Sequence, residues 1–167
     1  MSKPTLWMLV GVPGSGKSTW IDYQLDHRDA QENVTVASTD DYIELVASSQ
    51  HKTYNEVFKD VIKDAEKVMY QGVRFATENN MDIIWDQTNL TRKSRAKKLI
   101  MIPDRYEKIA IVFPTPDEDE LQRRLASRPG KTIPEHILGG MIEMLEYPKK
   151  DEGFDSVLTW TEDLYYV

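Results

Sequence analysis

Gly11-Val12-Pro13-Gly14-Ser15-Gly16-Lys17-Ser18 is the stretch that decides the fold. It satisfies Gly-x-x-x-x-Gly-Lys-Ser, the pattern of a phosphate-binding loop. Glycine at 14 and 16 lets the backbone approach phosphate closely and adopt conformations closed to other residues. Consecutive N–H groups, together with the N-terminus of a following helix, form an anion nest. Ser15 lies within that nest. Lys17 reaches the β- and γ-phosphates of a nucleotide. The Ser18 hydroxyl is a ligand for Mg²⁺, an ion that takes few protein oxygens and fills its shell with phosphate oxygens. The pattern calls for a strand before it and a helix after it.

Both neighbours read that way. Leu6 to Val10 is an apolar run ending at Gly11, too short for a helix and therefore a buried strand. Thr19 to Leu25 reads as helix. Val34-Thr35-Val36-Ala37 is a second strand, stopped by Ser38-Thr39-Asp40-Asp41. From about Thr53 to Glu78 apolar residues recur at helical spacing (Val57, Val61, Ile62, Ala65, Val68, Met69, Val73), with Gly72 expected to bend or divide the stretch. Asp82 to Asp86 is a third strand and Thr91 to Ile102 a helix rich in Lys and Arg. Ile109 to Phe113 is a fourth strand, closed by Pro114, and Asp117 to Leu125 is helical. Arg128-Pro129-Gly130-Lys131 breaks that helix. Thr132 and Glu135 have capping-box spacing around Pro134, ahead of a helix carrying Ile137, Leu138, Met141, Ile142 and Leu145 on one face. Phe154 to Trp160 supplies a fifth strand. Short strands alternating with helices predict βαβ units. The expected fold is α/β, with a central, mostly parallel five-stranded sheet flanked by helices, as one domain over residues 1–167.

Composition narrows the class. The chain has 167 residues and no cysteine, which excludes a disulfide scaffold, a thiolate metal site and a cysteine nucleophile. No apolar stretch approaches the ~20 residues that span a bilayer. Met-Ser-Lys-Pro-Thr-Leu-Trp at the N-terminus has no signal-peptide pattern, so a cytoplasmic location is expected, the host cytoplasm if a phage encodes it. A net charge of −7 excludes binding of nucleic acid by bulk charge, though not a local basic cleft that grips one strand end. His27, His51 and His136 lack metal-ligand spacing.

Ligands of parallel sheets bind beyond the carboxyl ends of the strands, so the polar residues closing each strand matter most. Asp40 closes the second strand. It is either a general base that orients a hydroxyl toward a γ-phosphate or the cap of a helix starting at Asp41 or Tyr42. Asp86 closes the third strand, followed by Gln87-Thr88-Asn89. It is either an acidic group near Mg²⁺ or part of a polar turn in which Asp86 or Asn89 caps the next helix. Arg123, Arg124, Arg128 and Lys131 form a basic patch, read as a mobile clamp over nucleotide phosphates or as solvated helix charge. Arg92, Lys93, Arg95, Lys97 and Lys98 read as a solvated basic face, with substrate phosphate as the alternative.

Taken together, these blocks resemble the kinase domain of phage and metazoan polynucleotide 5′-hydroxyl kinases, within the P-loop kinase superfamily. The match runs through Gly11 to Trp20, Thr39-Asp40-Asp41-Tyr42, Asp86-Gln87-Thr88-Asn89-Leu90, and the spacing of Arg123 to Pro134, and it spans nearly the whole chain. Glu152-Gly153-Phe154-Asp155 is also similar to this group. The resemblance implies a P-loop kinase fold with a small helical lid, ATP and Mg²⁺ as cofactors, and a 5′-hydroxyl end of DNA or RNA as substrate. It implies Lys17, Asp40 and Arg128 as catalytic residues, Asp40 being the base and Arg128 the lid arginine. Gly14, Ser15, Gly16, Lys17, Ser18, Thr19, Arg124 and Arg128 would bind nucleotide. Asp40, Asp86, Gln87, Thr88 and Asn89 would line the acceptor site, and Ser18 would hold the metal. Two departures stand out. The phage enzyme has an arginine three residues after the base that contacts the acceptor phosphate, where this chain has Ile43; Arg92 or Arg95 is the candidate replacement. No Asp-x-Asp-Gly-Thr phosphatase motif is present. The rival functions are a P-loop kinase of a small metabolite or nucleoside, and a non-catalytic ATP- or RNA-binding module of the same fold.

Overall fold

The computed structural model describes residues 2–28 and 33–161. In chain order the elements are β1 (Thr5–Val10), α1 (Lys17–Asp26), β2 (Val34–Ala37), α2 (Asp40–Ser49), α3 (Tyr54–Glu78), β3 (Asp82–Trp85), α4 (Arg92–Leu99), β4 (Glu107–Val112), α5 (Glu118–Ala126), α6 (Glu135–Met144) and β5 (Ser156–Thr159), with a 3-10 turn at Lys150–Glu152. The five strands form one sheet in the order β2-β3-β1-β4-β5, and every pairing is parallel. The loop strand β1 is therefore central, paired with β3 on one side (Trp7 opposite Ile84) and β4 on the other (Trp7 opposite Ile109).

Both faces of the sheet are covered, so the strands are apolar throughout rather than alternating with polar residues. The two-residue period of β1 sends Leu6 and Met8 to one core, with Ile83, Trp85, Met69 and Val73 beneath α3. It sends Trp7 and Leu9 to the other, with Ile84, Ile111, Trp20 and Phe113 beneath α1. Each such side chain taken fully out of water contributes roughly 1.5–3 kcal/mol. A third cluster joins Val12 of the loop to Leu121 of α5 and Leu138 of α6, so the two lid helices rest directly on the phosphate loop.

Several boundaries differ from expectation for local reasons. Gly72 neither bends nor divides α3, which runs unbroken behind a capping box of Thr53 and Glu56. Thr132 and Glu135 form no capping box: α6 starts after Pro134 without a side-chain cap, and the Thr132 hydroxyl instead accepts from Asn55 Nδ2 at 2.7 Å. On α6 the buried stripe is Leu138 with Met141 and Leu145, while Ile137 and Ile142 face solvent. The helix α2 was expected only as an alternative to a catalytic Asp40, and it is present.

Candidate active site

The phosphate loop turns out of β1 at the centre of the sheet. Gly11 N–H donates to Thr88 O (3.0 Å), which ties the start of the loop to the segment after β3. Gly14 and Gly16 have φ of 83° and 107°, the left-handed region that a side chain resists. Gly16 is also the N-cap of α1 and supplies no side-chain cap, so the first-turn N–H groups remain for an anion. The Ser15 hydroxyl is buried with no hydrogen-bond partner, a polar atom awaiting an acceptor or donor from outside the chain. Lys17 Nζ donates to Gly11 O (2.6 Å) and Val12 O (2.9 Å), folded back on its own loop. Burial lowers its pKa to about 8, against the raising pull of the Asp86 and Asp40 charges. Ser18 and Thr19 are exposed at the start of α1.

The lid brings its arginines to this loop. Arg124 Nη1 donates to Gly14 O (2.9 Å), while its Nε pairs with Glu120. Arg123 points elsewhere and pairs with Glu120 on its own helix. Arg128 makes no side-chain hydrogen bond or ion pair among the described residues. Its positive charge acts on both Lys17 and Tyr54.

Across from the loop stands Asp40, the first residue of α2. The N-cap is Thr39, whose side chain makes no cap bond; the Ser38 hydroxyl accepts from Asp40 N–H (3.1 Å), and the Asp40 carboxylate caps no helix N–H group. Its carboxylate accepts from the Tyr54 hydroxyl (2.7 Å) and from Lys131 Nζ (3.0 Å). Lys131 also faces Glu44 (3.6 Å) and lies over the Tyr54 ring (4.3 Å). Burial raises the Tyr54 pKa well above its ordinary value, and its bond to Asp40 raises it further. The phenol therefore stays protonated and donates. Asp86 closes β3 beside Lys17. Burial raises its pKa to about 6, partly opposed by the Lys17 charge and reinforced by Asp40 and Asp41.

The segment after β3, expected to line an acceptor site, also ties β1 and β3 together. Asn89, with φ of 48° and only 2% exposed, donates to Leu9 O (2.7 Å) and Gln87 O (3.2 Å). Gln87 Oε1 accepts from Trp85 Nε1 (3.2 Å). Thr88 contributes its carbonyl to Gly11. Neither Asp86 nor Asn89 caps α4; Thr91 does. The basic face of α4 is solvated only in part. Arg95 is fully buried, bonded to Glu152 (2.8 Å) and to the carbonyls of Asn89 and Leu90, and buried Lys98 donates to Asn89 Oδ1. Arg92 is exposed and paired with Asp151. Arg95 therefore cannot serve an acceptor phosphate. Tyr54 and Glu44 were not singled out in the sequence; their nearest local signal was the capping box just ahead of Tyr54.

The donor set also suits a hard cation bound chiefly through nucleotide phosphates. Among the described residues no three His, Cys, Asp or Glu groups gather to hold a metal by themselves. The oxygens of Ser18 and Asp86 beside the anion nest fit Mg²⁺ held chiefly by nucleotide phosphates.

No described helix is long and apolar enough to cross a membrane. A sequence profile of the AAA domain matches residues 6–148. The signal recognition particle protein of Mycoplasma mycoides is 27% identical over 124 residues, 61% of this chain and 28% of that protein. A chain of the Pnkp1/Rnl/Hen1 RNA repair complex is 27% identical with a TM-score of 0.67, over 93% of this chain and 47% of that one. This chain thus spans less than half the length of either relative. A gluconokinase from Sinorhizobium meliloti 1021 shares the fold at a TM-score of 0.51 and 17% identity, over 95% of this chain and 83% of that one. With the loop, the lid and the parallel sheet in place, and the profile covering most of its length, the chain belongs to the AAA domain family and has a P-loop kinase-like fold.

Proposed function

We propose that the protein is an ATP-dependent polynucleotide 5′-hydroxyl kinase of the phage type, acting on ends of DNA or RNA. The observation that carries this reading is the Asp40 carboxylate. It caps no helix N–H group, and it is held by Tyr54 and Lys131 where its charge acts on Lys17 of the phosphate loop. The 27% likeness to a chain of an RNA repair complex supports a nucleic-acid acceptor.

The acceptor hydroxyl oxygen bonds to the γ-phosphorus. The bond from that phosphorus to the β–γ bridging oxygen breaks, and ADP leaves with the electron pair. The hydroxyl proton passes to Asp40. Lys17 exchanges its loop carbonyls for β- and γ-phosphate oxygens, and the Ser15 hydroxyl and first-turn N–H groups bind phosphate. Arg128, with no competing partner among the described residues, moves onto the transferring group and offsets its charge. Mg²⁺ supplies further neutralisation when bound, with Ser18 and Asp86 as its protein oxygens. Arg124 holds the lid to the loop at Gly14. Asn89, Thr88 and Gln87 act by fixing the wall between the two halves. Catalysis is then positioning plus electrostatics.

A small-metabolite acceptor is the second reading. Its support is the acidic rim: Glu44 stands beside Lys131, and Ile43 is fully buried where a polynucleotide kinase would have a cation. Transfer of γ-labelled phosphate from ATP–Mg²⁺ to a 5′-hydroxyl oligonucleotide, beside a panel of nucleosides and sugars, decides between the two. The expected result is label on the oligonucleotide, reduced about 10²–10⁴-fold by Asp40→Asn with ATP binding kept. Label on a sugar or nucleoside instead selects the second reading. ATP binding with no transfer to any acceptor makes the chain a binding module.

A further inference from the structure

We infer that Tyr54 is the positioning residue of the proposed base: its hydroxyl holds the Asp40 carboxylate in the orientation from which it takes the acceptor proton. This rests on the phosphate-transfer reading above and deepens it, and it applies whichever hydroxyl is the acceptor.

The start of α3 puts Tyr54 in place. Thr53 and Glu56 exchange bonds there: Glu56 N–H donates to Thr53 Oγ1 (3.3 Å), and Thr53 N–H donates to Glu56 Oε1 (3.0 Å). Tyr54 is the first residue inside that cap. Its side chain packs on the cluster of Ile43 and Ala47 from α2 with Val57 and Ala65 from α3, and its ring lies 5.8 Å from that of Phe58. The helix that presents Asp40 and the helix that presents Tyr54 are thus locked together by a shared core. The 2.7 Å bond from the Tyr54 hydroxyl to Asp40 Oδ1 follows from that packing.

The Asp40 side chain is 42% exposed, so packing alone does not select its rotamer. Among the described residues two side chains bond to it, Tyr54 at Oδ1 and Lys131 at Oδ2. They differ in kind. Lys131 belongs to the α5–α6 connection of the lid, and its ammonium also faces Glu44 at 3.6 Å. Tyr54 belongs to the body that carries Asp40, and its one proton has one partner. Burial first, then the bond to Asp40, keep that phenol protonated, with the Arg128 charge opposing. Tying one oxygen fixes the carboxylate plane about its Cβ–Cγ bond. A carboxylate oxygen has two acceptor sites, so Oδ2 takes the hydroxyl proton at the site that Lys131 leaves open. A general base works only from a defined position, and small misplacements are costly.

The test measures transfer of γ-labelled phosphate from ATP–Mg²⁺ to a 5′-hydroxyl oligonucleotide by the wild type, Tyr54→Phe, Asp40→Asn and the double variant. Tyr54→Phe keeps the ring and its core contacts, and unchanged ATP binding and melting curves check that the fold is intact. Its kcat is expected to fall about tenfold to a hundredfold, with KM for ATP and for the acceptor within about twofold of wild type. In the Asp40→Asn background the same change should cost less than about twofold, because a residue that acts through the base has nothing left to position. Equal fold-losses in the two backgrounds would overturn the inference, as would an unchanged kcat. A raised acceptor KM with kcat kept would make Tyr54 a substrate contact and overturn it equally. A wild type that labels neither the oligonucleotide nor a panel of nucleosides and sugars brings down the kinase reading itself, and the inference with it, before any variant is compared.

Discussion

Eight consecutive residues, Gly11 to Ser18, form one wall of the cleft. The facing wall takes Asp40 from the start of α2, Tyr54 from α3, Asp86 from the end of β3 and Lys131 from the α5–α6 connection. The first wall is mostly backbone. Its anion nest follows from left-handed glycines and a helix start, and neighbours have only to leave it room. The second wall is made of side chains whose meeting depends on how α2, α3 and the lid pack. A change of one side chain alters the second wall without disturbing the fold. Nucleotide use is therefore fixed by local geometry, and acceptor choice is open to substitution at positions such as Ile43, Glu44 and Lys131.

The largest effect that sharpens this contrast is expected from Lys17→Met. It removes the charged side chain of the backbone wall. Phosphate transfer should fall by about 10³-fold or more, since a charge aimed at the transferring phosphoryl group is lost. The melting temperature should hold or rise, because an ammonium whose pKa burial lowers to about 8 is destabilising where it sits. Label transfer and thermal unfolding on one preparation separate the two. A protein that loses activity only because it unfolds would contradict the loop's independence.

Glu152→Ala attacks the contrast from the other side. The phosphate loop is self-contained in sequence, yet it leans on a buried polar strut. Glu152 holds Arg95, Arg95 holds the carbonyls of Asn89 and Leu90, and the Asn89 side chain holds Leu9 of β1. Arg95 and Glu152 side chains are 0% and 3% exposed, so removing the carboxylate strands a buried guanidinium. Breaking such a pair costs about 3–5 kcal/mol of stability, readable by urea unfolding. Nucleotide affinity should weaken as well, because Thr88 beside Asn89 anchors Gly11. Unchanged nucleotide binding in a destabilised protein would show that the loop does not need the strut.

These two regions also differ in how far the sequence discloses them. The five strands, their parallel arrangement and the loop follow from short apolar runs and one contiguous pattern, because their causes lie within a few residues, whereas the order β2-β3-β1-β4-β5 has no such local cause. Arg95 and Lys98 read as solvated charge on a short basic helix, but their partners lie 57 and 9 residues away, and the pairing with Glu152 leaves no local trace. Thr132 and Glu135 had the spacing of a capping box, yet a tertiary bond from Asn55 took the threonine. Lys131 stood out only as one member of a basic patch. Its contact with Asp40 spans 91 residues and exists only once Gly130 has packed on Thr53.

Asp86 on the facing wall interacts with the charge of Lys17 on the loop, and its titration gives the smallest and most directional expectation. Burial raises its pKa from an ordinary value near 3.8 to about 6. Between those values the folded protein binds more protons than the unfolded chain, so stability falls as pH rises through this range. The penalty is absent below about pH 4, grows between pH 4 and 6, and is constant above pH 6. Asp86→Asn removes a charge that is costly to bury, and should stabilise the ligand-free protein at pH 7.5 by about 1–3 kcal/mol. The gain should vanish at pH 4, where the wild-type carboxyl is protonated in both states. Urea unfolding at the two pH values measures it. The same substitution should impair phosphate transfer, because the carboxylate that burdens the folded chain faces Lys17 and the Mg²⁺-bearing phosphates proposed for the site. A gain of equal size at both pH values would mean that the side chain's shape rather than its charge is what the site resists. Asp86 would then belong to the backbone wall's packing and not to the chemistry between the walls.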